Sequence, residues 1–200
     1  MQRFRAQFRR PTGFWGNVAG LIMAYRPSNR ERNSWTISLL DIQRTDRVLE
    51  IGFGPGVAIQ EMSRIALDGL VVGLDHSETM LRHARKRNAT AIRKGAVDLI
   101  LGPVSALPPF NESFDKILTI NSFHAWDEPV ERLKELRRVL RPGGLIAITE
   151  QPRSRGATDE TAQEIGKKLV AALNEGGFSE VRLETKKMKP VSAVCALAAN

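Results

Sequence analysis

The stretch VLEIGFGPGVAIQ, Val48 to Gln60, decides the fold of this 200-residue chain. It begins with a short apolar run, continues with three glycines within five positions, and ends in a pattern typical of a helix. A glycine-rich turn between a strand and a helix lets a ligand approach the backbone, and it points the N–H groups of the helix N-terminus at that ligand. The stretch therefore predicts a strand, a binding loop and a helix.

Short apolar runs alternate with amphipathic segments from Arg47 onward. This alternation is typical of a parallel sheet covered by helices on both faces. No helical pattern separates the last two apolar runs, so they predict a hairpin and an antiparallel strand. We therefore expect an α/β fold with a doubly wound, mostly parallel, seven-stranded sheet whose last strand is reversed. The predicted strands cover 48–51, 70–74, 97–101, 116–120, 145–149, 181–185 and 191–198, and the predicted helices cover 57–66, 78–87, 129–139 and 159–173.

The first 46 residues predict a basic arm and N-terminal helices, and residues 47–200 predict the α/β domain. One helix is predicted over residues 13–25. A second is predicted to begin at Ser28, because Glu31 three residues later completes a capping box. One face of this second helix carries Trp35, Leu39 and Ile42. We expect both helices to cover the binding site.

The positive charge of the chain is concentrated at its start. The whole sequence has 30 Lys and Arg against 22 Asp and Glu, a net charge of +8. Residues 1–32 contain seven arginines and a single acidic residue, Glu31, so most of the excess lies there. Such an arm is either a solvated extension or a contact for an anionic substrate, membrane or nucleic acid.

Compartment signals favour a cytoplasmic protein. Cys195 is the only cysteine, so no intrachain disulfide can form. No apolar run approaches the roughly 18 residues of a membrane span. The apolar residues 18–25 are followed by Arg26 and Pro27 instead of a small-residue cleavage site, which argues against a signal peptide. An arginine-rich, acid-poor leader leaves a mitochondrial transit peptide as the alternative.

The glycine loop departs from the common phosphate-binding patterns. Gly52 and Gly54 match a dinucleotide fingerprint, but Val57 stands where its third glycine belongs, and no Gly-Lys-Ser/Thr of a P-loop is present. Glu50 precedes the loop and suits a ligand with an amino group or cation. Asp75 ends the next strand, where a carboxylate can accept from ribose hydroxyls. The pattern favours a ribose-containing, positively charged ligand over a nicotinamide cofactor.

Several motifs together resemble the class I S-adenosylmethionine-dependent methyltransferases. They are Glu50-x-Gly52-x-Gly54-x-Gly56, VVGLD ending at Asp75, SETM at 77–80, SALPPFNESFDKI at 105–117 and LRPGGLIAI at 140–148. The resemblance spans Arg47 to about Ala198 and implies a Rossmann-like methyltransferase domain over 47–200. It implies S-adenosylmethionine as cofactor, S-adenosylhomocysteine as product, and no metal.

The resemblance also implies roles for individual residues. The three glycines would surround the methionine part of the cofactor, with Glu50 near its amino group. Asp75 would hold the ribose, and the backbone of Asn121 would face the methionine end. The adenine would lie near His76, Met80 and Val104. The family commonly has an acidic residue where this chain has Pro103, so one adenine contact is missing, and Asp98 lies too early to replace it.

The reacting end of the site is predicted at residues 121–126. His124 is the only histidine there, and its ordinary pKa suits removal of a proton from an acceptor. Alternatively, His124 and Trp126 line the pocket or cap the following helix. Amine-methylating enzymes of the family that act on DNA or protein often carry Asn/Asp-Pro-Pro-aromatic here, and this chain keeps only Asn121.

We therefore expect a small-molecule methyl acceptor, with nucleic acid disfavoured and contact with an anionic membrane left open. The alternative is a basic-armed binding protein for anionic lipid or nucleic acid with a vestigial cofactor site. Arg153 and Arg155 could hold an acidic group of the acceptor. Apolar contacts to it are expected from Phe14, Trp15, Met23 and Tyr25.

Overall fold

The computed structural model describes residues 27–200, which form one seven-stranded sheet with helices on both faces. The predicted helix over 13–25, and with it Phe14, Trp15, Met23 and Tyr25, lies outside the described residues. The strands are β1 (Arg47–Ile51), β2 (Leu70–Asp75), β3 (Val97–Leu101), β4 (Phe114–Ile120), β5 (Leu140–Glu150), β6 (Ser179–Lys186) and β7 (Ala193–Ala199). The helices are α1 (Pro27–Leu39), α2 (Val57–Met62), α3 (Glu78–Arg87), α4 (Ala89–Arg93), α5 (Pro129–Val139) and α6 (Asp159–Glu175), with a 3₁₀ turn at Phe123–Ala125.

The order of the strands places a ligand crevice at the middle of the sheet. The sheet runs β3-β2-β1-β4-β5-β7-β6, so the chain moves outward from β1 first to one side and then to the other. Neighbouring strands from β3 to β5 are parallel, which brings their carboxyl ends to the same edge. Ligands of such sheets bind beyond the carboxyl ends, where the order reverses. Here the reversal falls between β1 and β4.

The reversed last strand is confirmed. β7 pairs antiparallel with both β5 and β6, and all seven of its residues are buried between them. Its sequence, AVCALAA, consists of small and medium apolar residues, which suits a strand covered on both faces.

Two hydrophobic clusters fill the two sides of the sheet. Val48 of β1 belongs to the cluster that also contains Ile37 of α1 and residues of α2 and α3. Leu49 and Ile51 point to the opposite side and join the cluster under α5 and α6. This alternation follows from the two-residue period of a strand. Because α1 contributes to the first cluster, it is packed onto the sheet; the division at residue 46 stays a prediction.

Several element boundaries differ from those predicted. α1 begins at Pro27, so Ser28 lies inside the helix and is not its N-cap, and Ile42 lies beyond its end. Proline is favourable at the first helical position because the missing N–H would have no helical partner there. β5 begins five residues earlier than predicted, because Leu140 already pairs with Phe114 of β4. The short α4 was not predicted.

Candidate functional site

The carboxyl edge of the sheet collects most of the predicted site residues. Glu50 is the penultimate residue of β1, Asp75 ends β2, and Asn121 directly follows β4. The glycine loop joins β1 to α2 along the same edge. The motif residues, although far apart in the sequence, therefore lie along the same edge of the sheet.

The glycine loop requires glycine at three positions for different reasons. Gly52, Gly54 and Gly56 all have positive φ, of 75°, 53° and 72°, which other residues rarely adopt. A Cβ at Gly52 would collide with the side chain of Ser122. A Cβ at Gly56 would lie 2.7 Å from the Ala84 Cβ of α3. These two glycines thus allow close packing of neighbouring segments.

Gly54 differs because a Cβ there would meet nothing within 4 Å. The loop turns its backbone toward open space at this point, and Phe53 beside it is buried. Phe53 packs over Gly73 of β2, where a Cβ would lie 2.7 Å from the Phe53 ring. The ring anchors the loop to the sheet while Gly54 leaves the crevice open.

Asp75 holds the glycine loop by hydrogen bonds and can still accept further hydrogen bonds from a ligand. Its Oδ2 accepts from the Gly54 N–H at 2.8 Å, and its Oδ1 accepts from the Ser77 N–H at 2.8 Å. Each carboxylate oxygen has a second lone pair, which can accept from a ribose hydroxyl. Burial raises the pKa of Asp75, and the two backbone hydrogen bonds oppose that rise.

Glu50 is a fully buried carboxyl group. Its residue is 3% exposed, and its Oε2 has no hydrogen-bond partner among the described residues. Burial, and after it the negative charge of Asp75, raise the pKa of Glu50 to about 8, although the Ile59 N–H opposes the rise. An unsatisfied buried carboxyl oxygen is costly in the ligand-free protein. An ammonium group placed beside it would remove that cost.

The residues predicted near the adenine lie on the β2 side of the crevice. His76 is partly exposed, with its Nδ1 3.8 Å from Asp75 Oδ1. Met80 is buried in the first turn of α3, which Ser77 caps. Val104 is partly buried against the second cluster. His76 and Met80 follow the end of β2, whereas Val104 follows the end of the neighbouring strand β3, and the contacts of all three to adenine stay predictions.

The loop after β3 contains the residue that departs from the family pattern. The Pro103 carbonyl accepts from the Ala106 N–H at 3.1 Å, which closes a turn. Asp98 is the second residue of β3, three positions before its carboxyl end, so it does not reach this loop. The loss of one adenine contact at Pro103 stays a prediction.

Asn121 joins the ends of β4 and β5. Its backbone has a positive φ of 54°, and its side chain exchanges two hydrogen bonds with the backbone of Gln151, at 2.8 and 3.2 Å. The side chain is thus held by the residue directly after β5, and the Asn121 backbone N–H donates to the Thr149 carbonyl at 2.8 Å. The contact of the Asn121 backbone with the methionine end of a cofactor stays a prediction.

His124 is paired with a residue that the sequence did not single out. Its Nδ1 lies 3.0 and 3.2 Å from the two carboxylate oxygens of Glu150, and its backbone N–H donates to Glu150 Oε1 at 3.2 Å. Glu150 is the last residue of β5 and is 5% exposed, whereas the His124 side chain is half-exposed. The predicted cap role is wrong, because Glu128 is the N-cap of α5 and no side chain caps that helix. Trp126 instead packs against Phe123.

Gln151 also lacked a sequence signal and connects three segments. Its side-chain oxygen accepts from Arg32 of α1 at 2.8 Å and from Arg153 at 2.9 Å, and its amide donates to the Val191 carbonyl at 2.7 Å. Arg153 also donates to Asn29 at 2.8 Å. Arg153 thus ties the loop after β5 to α1, while Arg155 is exposed.

The residues present fit S-adenosylmethionine. The buried Glu50 oxygen without a partner, the open face at Gly54 and the spare acceptor capacity of Asp75 lie together at one edge. Within residues 27–200, no cluster of three His, Cys, Asp or Glu side chains is placed to hold a metal ion. None of the helices over this range is long and apolar enough to cross a membrane.

Comparison with known proteins identifies the family. Residues 49–148 match the family described as "Methyltransferase domain", and this chain belongs to it. The chain is a class I S-adenosylmethionine-dependent methyltransferase. It is 36% identical over 181 residues to the uncharacterized methyltransferase YdaC of Bacillus subtilis, covering 90% of this chain and 97% of that protein.

Two further similarities extend the comparison. The chain is 29% identical over 160 residues to 27-O-demethylrifamycin SV methyltransferase of Amycolatopsis mediterranei, covering 78% of this chain and 58% of that protein. Its fold is similar to that of the N-methyltransferase NodS from Bradyrhizobium japonicum in complex with S-adenosylhomocysteine, with a TM-score of 0.72 and 16% identity. That alignment covers all of this chain and 97% of NodS, and at this identity it shows the fold alone.

Proposed function

We propose that the enzyme transfers a methyl group from S-adenosylmethionine to a small-molecule acceptor, with the cofactor held by Glu50, Gly54 and Asp75. The observation that carries the cofactor site is the buried Oε2 of Glu50, which has no partner among the described residues and lies at the edge onto which Gly54 opens. S-adenosylmethionine, when bound, supplies an electrophilic methyl group on a sulfonium centre. The protein's part is to bind, orient and exclude water.

Each of these residues has a separable task. Glu50 would pair with the cofactor's amino group, which neutralises a charge that burial otherwise disfavours. Asp75 would accept from the ribose hydroxyls while keeping the Gly54 and Ser77 N–H groups in place. Holding both reactants in line in a dry site supplies much of the acceleration of a displacement reaction.

A small acceptor is supported by the shape of the rim. Only eight residues, 151–158, separate β5 from α6, and part of that segment is fastened to α1 through Arg153. α1 is joined to the end of β5 by the hydroxyl pair Thr36 and Thr149 at 2.8 Å and by Arg32 with Gln151. α1 therefore borders the reacting end and is available to cover it. The name of the Amycolatopsis relative also specifies a small-molecule acceptor.

Two measurements test this function. Calorimetry with S-adenosylhomocysteine should show binding in the micromolar range, and no binding at high micromolar concentration would refute the cofactor site. The enzyme is then incubated with methyl-labelled S-adenosylmethionine and whole-cell extract, and the products are separated by ultrafiltration. Label in the filtrate supports a small acceptor, whereas label retained with protein or nucleic acid refutes it.

We also propose a second function, peripheral contact with an anionic membrane, on the flank formed by α3 and α4. Five exposed cations lie there, and none has an ion pair with a carboxylate in the described part of the chain: Arg82, Arg85, Lys86, Arg93 and Lys94. Exposed aliphatic side chains precede β2, at Ile65 and Leu67. Clustered cations near a bilayer each contribute about 1 kcal/mol of attraction.

The membrane contact is tested with matched charge reversals. Arg85→Glu with Lys86→Glu should weaken sedimentation with vesicles that contain phosphatidylserine, whereas Lys167→Glu with Lys168→Glu on α6 should weaken it less. Both variants change the net charge equally, so the comparison isolates the location. Equal losses, or stronger binding to DNA than to vesicles, would refute a membrane-specific flank.

A further inference from the structure

We propose that Glu150 positions His124 as a proton acceptor, and that the methyl acceptor is a molecule whose attacking oxygen or nitrogen carries a proton. This inference rests on the proposed function, because it concerns the acceptor side of the same site. The acceptor class is then alcohols, phenols, and primary or secondary amines. Acceptors that attack through a lone pair on an atom without a proton, such as thioethers, are excluded.

The geometry holds the imidazole ring in one orientation. Both carboxylate oxygens of Glu150 lie within 3.2 Å of His124 Nδ1, and Oε1 also accepts from the His124 backbone N–H. Three contacts to one buried side chain fix both the ring and the residue that bears it. A carboxylate only accepts hydrogen bonds when ionised, so this pairing assigns the proton of the neutral ring to Nδ1. Nε2 then carries the lone pair.

The burial of Glu150 strengthens its electrostatic effect on the His124 ring. Glu150 is 5% exposed at the end of β5, whereas the ring it holds is half-exposed at the edge of the crevice. A buried carboxylate stabilises a positive charge on the ring more strongly than an exposed one, because the local dielectric constant is lower. The pair can therefore receive a proton from the solvent side and stabilise it from the protein side.

The pair also lies at the reacting end of the site. Ile120 of β4 pairs with Thr149 of β5, so the next residues, Asn121 and Glu150, are neighbours at the carboxyl edge. Asn121 is the residue assigned to the methionine end of the cofactor, and His124 follows it by three positions within the 3₁₀ turn.

The transfer step balances with these groups alone. The attacking oxygen or nitrogen forms a bond to the methyl carbon as the carbon–sulfur bond breaks, and that electron pair stays on the sulfur. The proton of the attacking atom passes to His124 Nε2, and the resulting imidazolium is stabilised by Glu150. The proton then leaves to solvent. General bases placed in this way typically contribute about 10²- to 10⁴-fold to the rate.

The ligand-free protein gives the first test, which does not depend on activity. Long-range ¹H–¹⁵N correlation spectra of the full chain labelled at histidine should show His124 protonated at Nδ1. Glu150→Gln should shift the ring toward a mixture of tautomers, and Glu150→Asp should restore part of the Nδ1 form. The control Glu131→Gln, on the exposed face of α5, should leave the spectrum unchanged. An Nδ1 form that persists in Glu150→Gln would overturn the positioning role.

Turnover gives the second test. His124→Gln should lose about 100-fold or more in methyl transfer to the extract acceptor, with S-adenosylhomocysteine affinity within about twofold of wild type. His124 is exposed, so this variant keeps the test available if Glu150→Gln does not fold. Mass spectrometry should find the new methyl group on an oxygen or nitrogen that has lost a proton. Unchanged turnover, or a methylsulfonium or C-methylated product, would overturn the inference, whereas failure to bind S-adenosylhomocysteine would refute the cofactor site itself.

Discussion

Replacing Glu50 with glutamine should make the ligand-free protein more stable and the cofactor weaker in binding. The pKa of Glu50 is raised from 4.5 to about 8 because the group is buried and lies near the charge of Asp75. Below pH 4.5 both the folded and the unfolded chain hold the proton, so the raised pKa has no effect on stability. Between pH 4.5 and 8 the unfolded chain releases this proton and the folded chain keeps it, so the free energy of unfolding falls as the pH rises.

The magnitude follows from the size of the pKa shift. Each unit corresponds to about 1.4 kcal/mol. We therefore expect Glu50 to lower the stability of the wild-type protein by about 3 kcal/mol at pH 7 and by about 5 kcal/mol above pH 8. Glutamine does not titrate, so Glu50→Gln removes this pH dependence.

Urea unfolding followed by tryptophan fluorescence measures the effect at several pH values. The difference between Glu50→Gln and wild type should grow by about 1.4 kcal/mol per pH unit from pH 5 to 8. The control Glu175→Gln, exposed at the end of α6, should give a constant difference. Parallel curves for Glu50→Gln and wild type would refute the assignment of a raised pKa to this group.

The same substitution should weaken the binding of S-adenosylhomocysteine. A lost hydrogen bond to a charged group costs about 1.5 to 3 kcal/mol, which corresponds to roughly 10- to 150-fold in affinity. Wild-type Glu50 must also release its proton to pair with the ligand's ammonium group. Calorimetry at pH 7 in buffers of different ionisation enthalpy should therefore detect proton release that Glu50→Gln lacks.

Three further outcomes are expected. Gly54→Ala should reduce S-adenosylhomocysteine affinity at least tenfold. The control is Gly95→Ala, because Gly95 has a similarly positive φ of 73° and equally open space around a Cβ, so this variant should strain the fold comparably without affecting binding. Equal affinity in the two variants would show that the crevice does not run past Gly54. Asp75→Asn should weaken binding by about 1 to 3 kcal/mol, because it loses the charged acceptor of the ribose, and a circular-dichroism melt would reveal any separate loss of the loop. The pKa of the Cys195 thiol is raised to about 12 by burial, so alkylation by iodoacetamide should proceed only through unfolding; rapid labelling of the native protein, measured by mass spectrometry, would contradict this.

The strands and the cofactor edge could be predicted because their signals are local. Each strand is a short apolar run, and Glu50 and Asp75 are recognisable as acidic residues at the ends of such runs. Parallel pairing then brings strand ends to one edge without further information. This is why the motif residues could be expected at one edge of the sheet, although their contacts had to come from the structure.

The His124–Glu150 pair could not be predicted in the same way. The two residues are 26 positions apart, and their contact depends on the register of β4 against β5. The different roles of the three loop glycines also depend on tertiary packing. Gly56 is required because α3 passes over it, and that packing is absent from the loop sequence. Local patterns identify residue types at an edge, whereas tertiary register decides which of them meet.

Glu50 and Asp75 together explain how the site can bind a cationic ligand. Burial raises the pKa of both carboxyl groups, and the negative charge of Asp75 adds to the rise at Glu50, so the ionised, ligand-free site is disfavoured. The loop hydrogen bonds of Asp75 oppose this effect only partly, and Glu50 Oε2 has no protein partner among the described residues. A ligand that brings a positive charge to Glu50 and hydroxyl donors to Asp75 satisfies both groups at once. Binding of such a ligand therefore removes the cost of burying Glu50 without a partner, and neutralising Glu50 should raise stability while it lowers affinity.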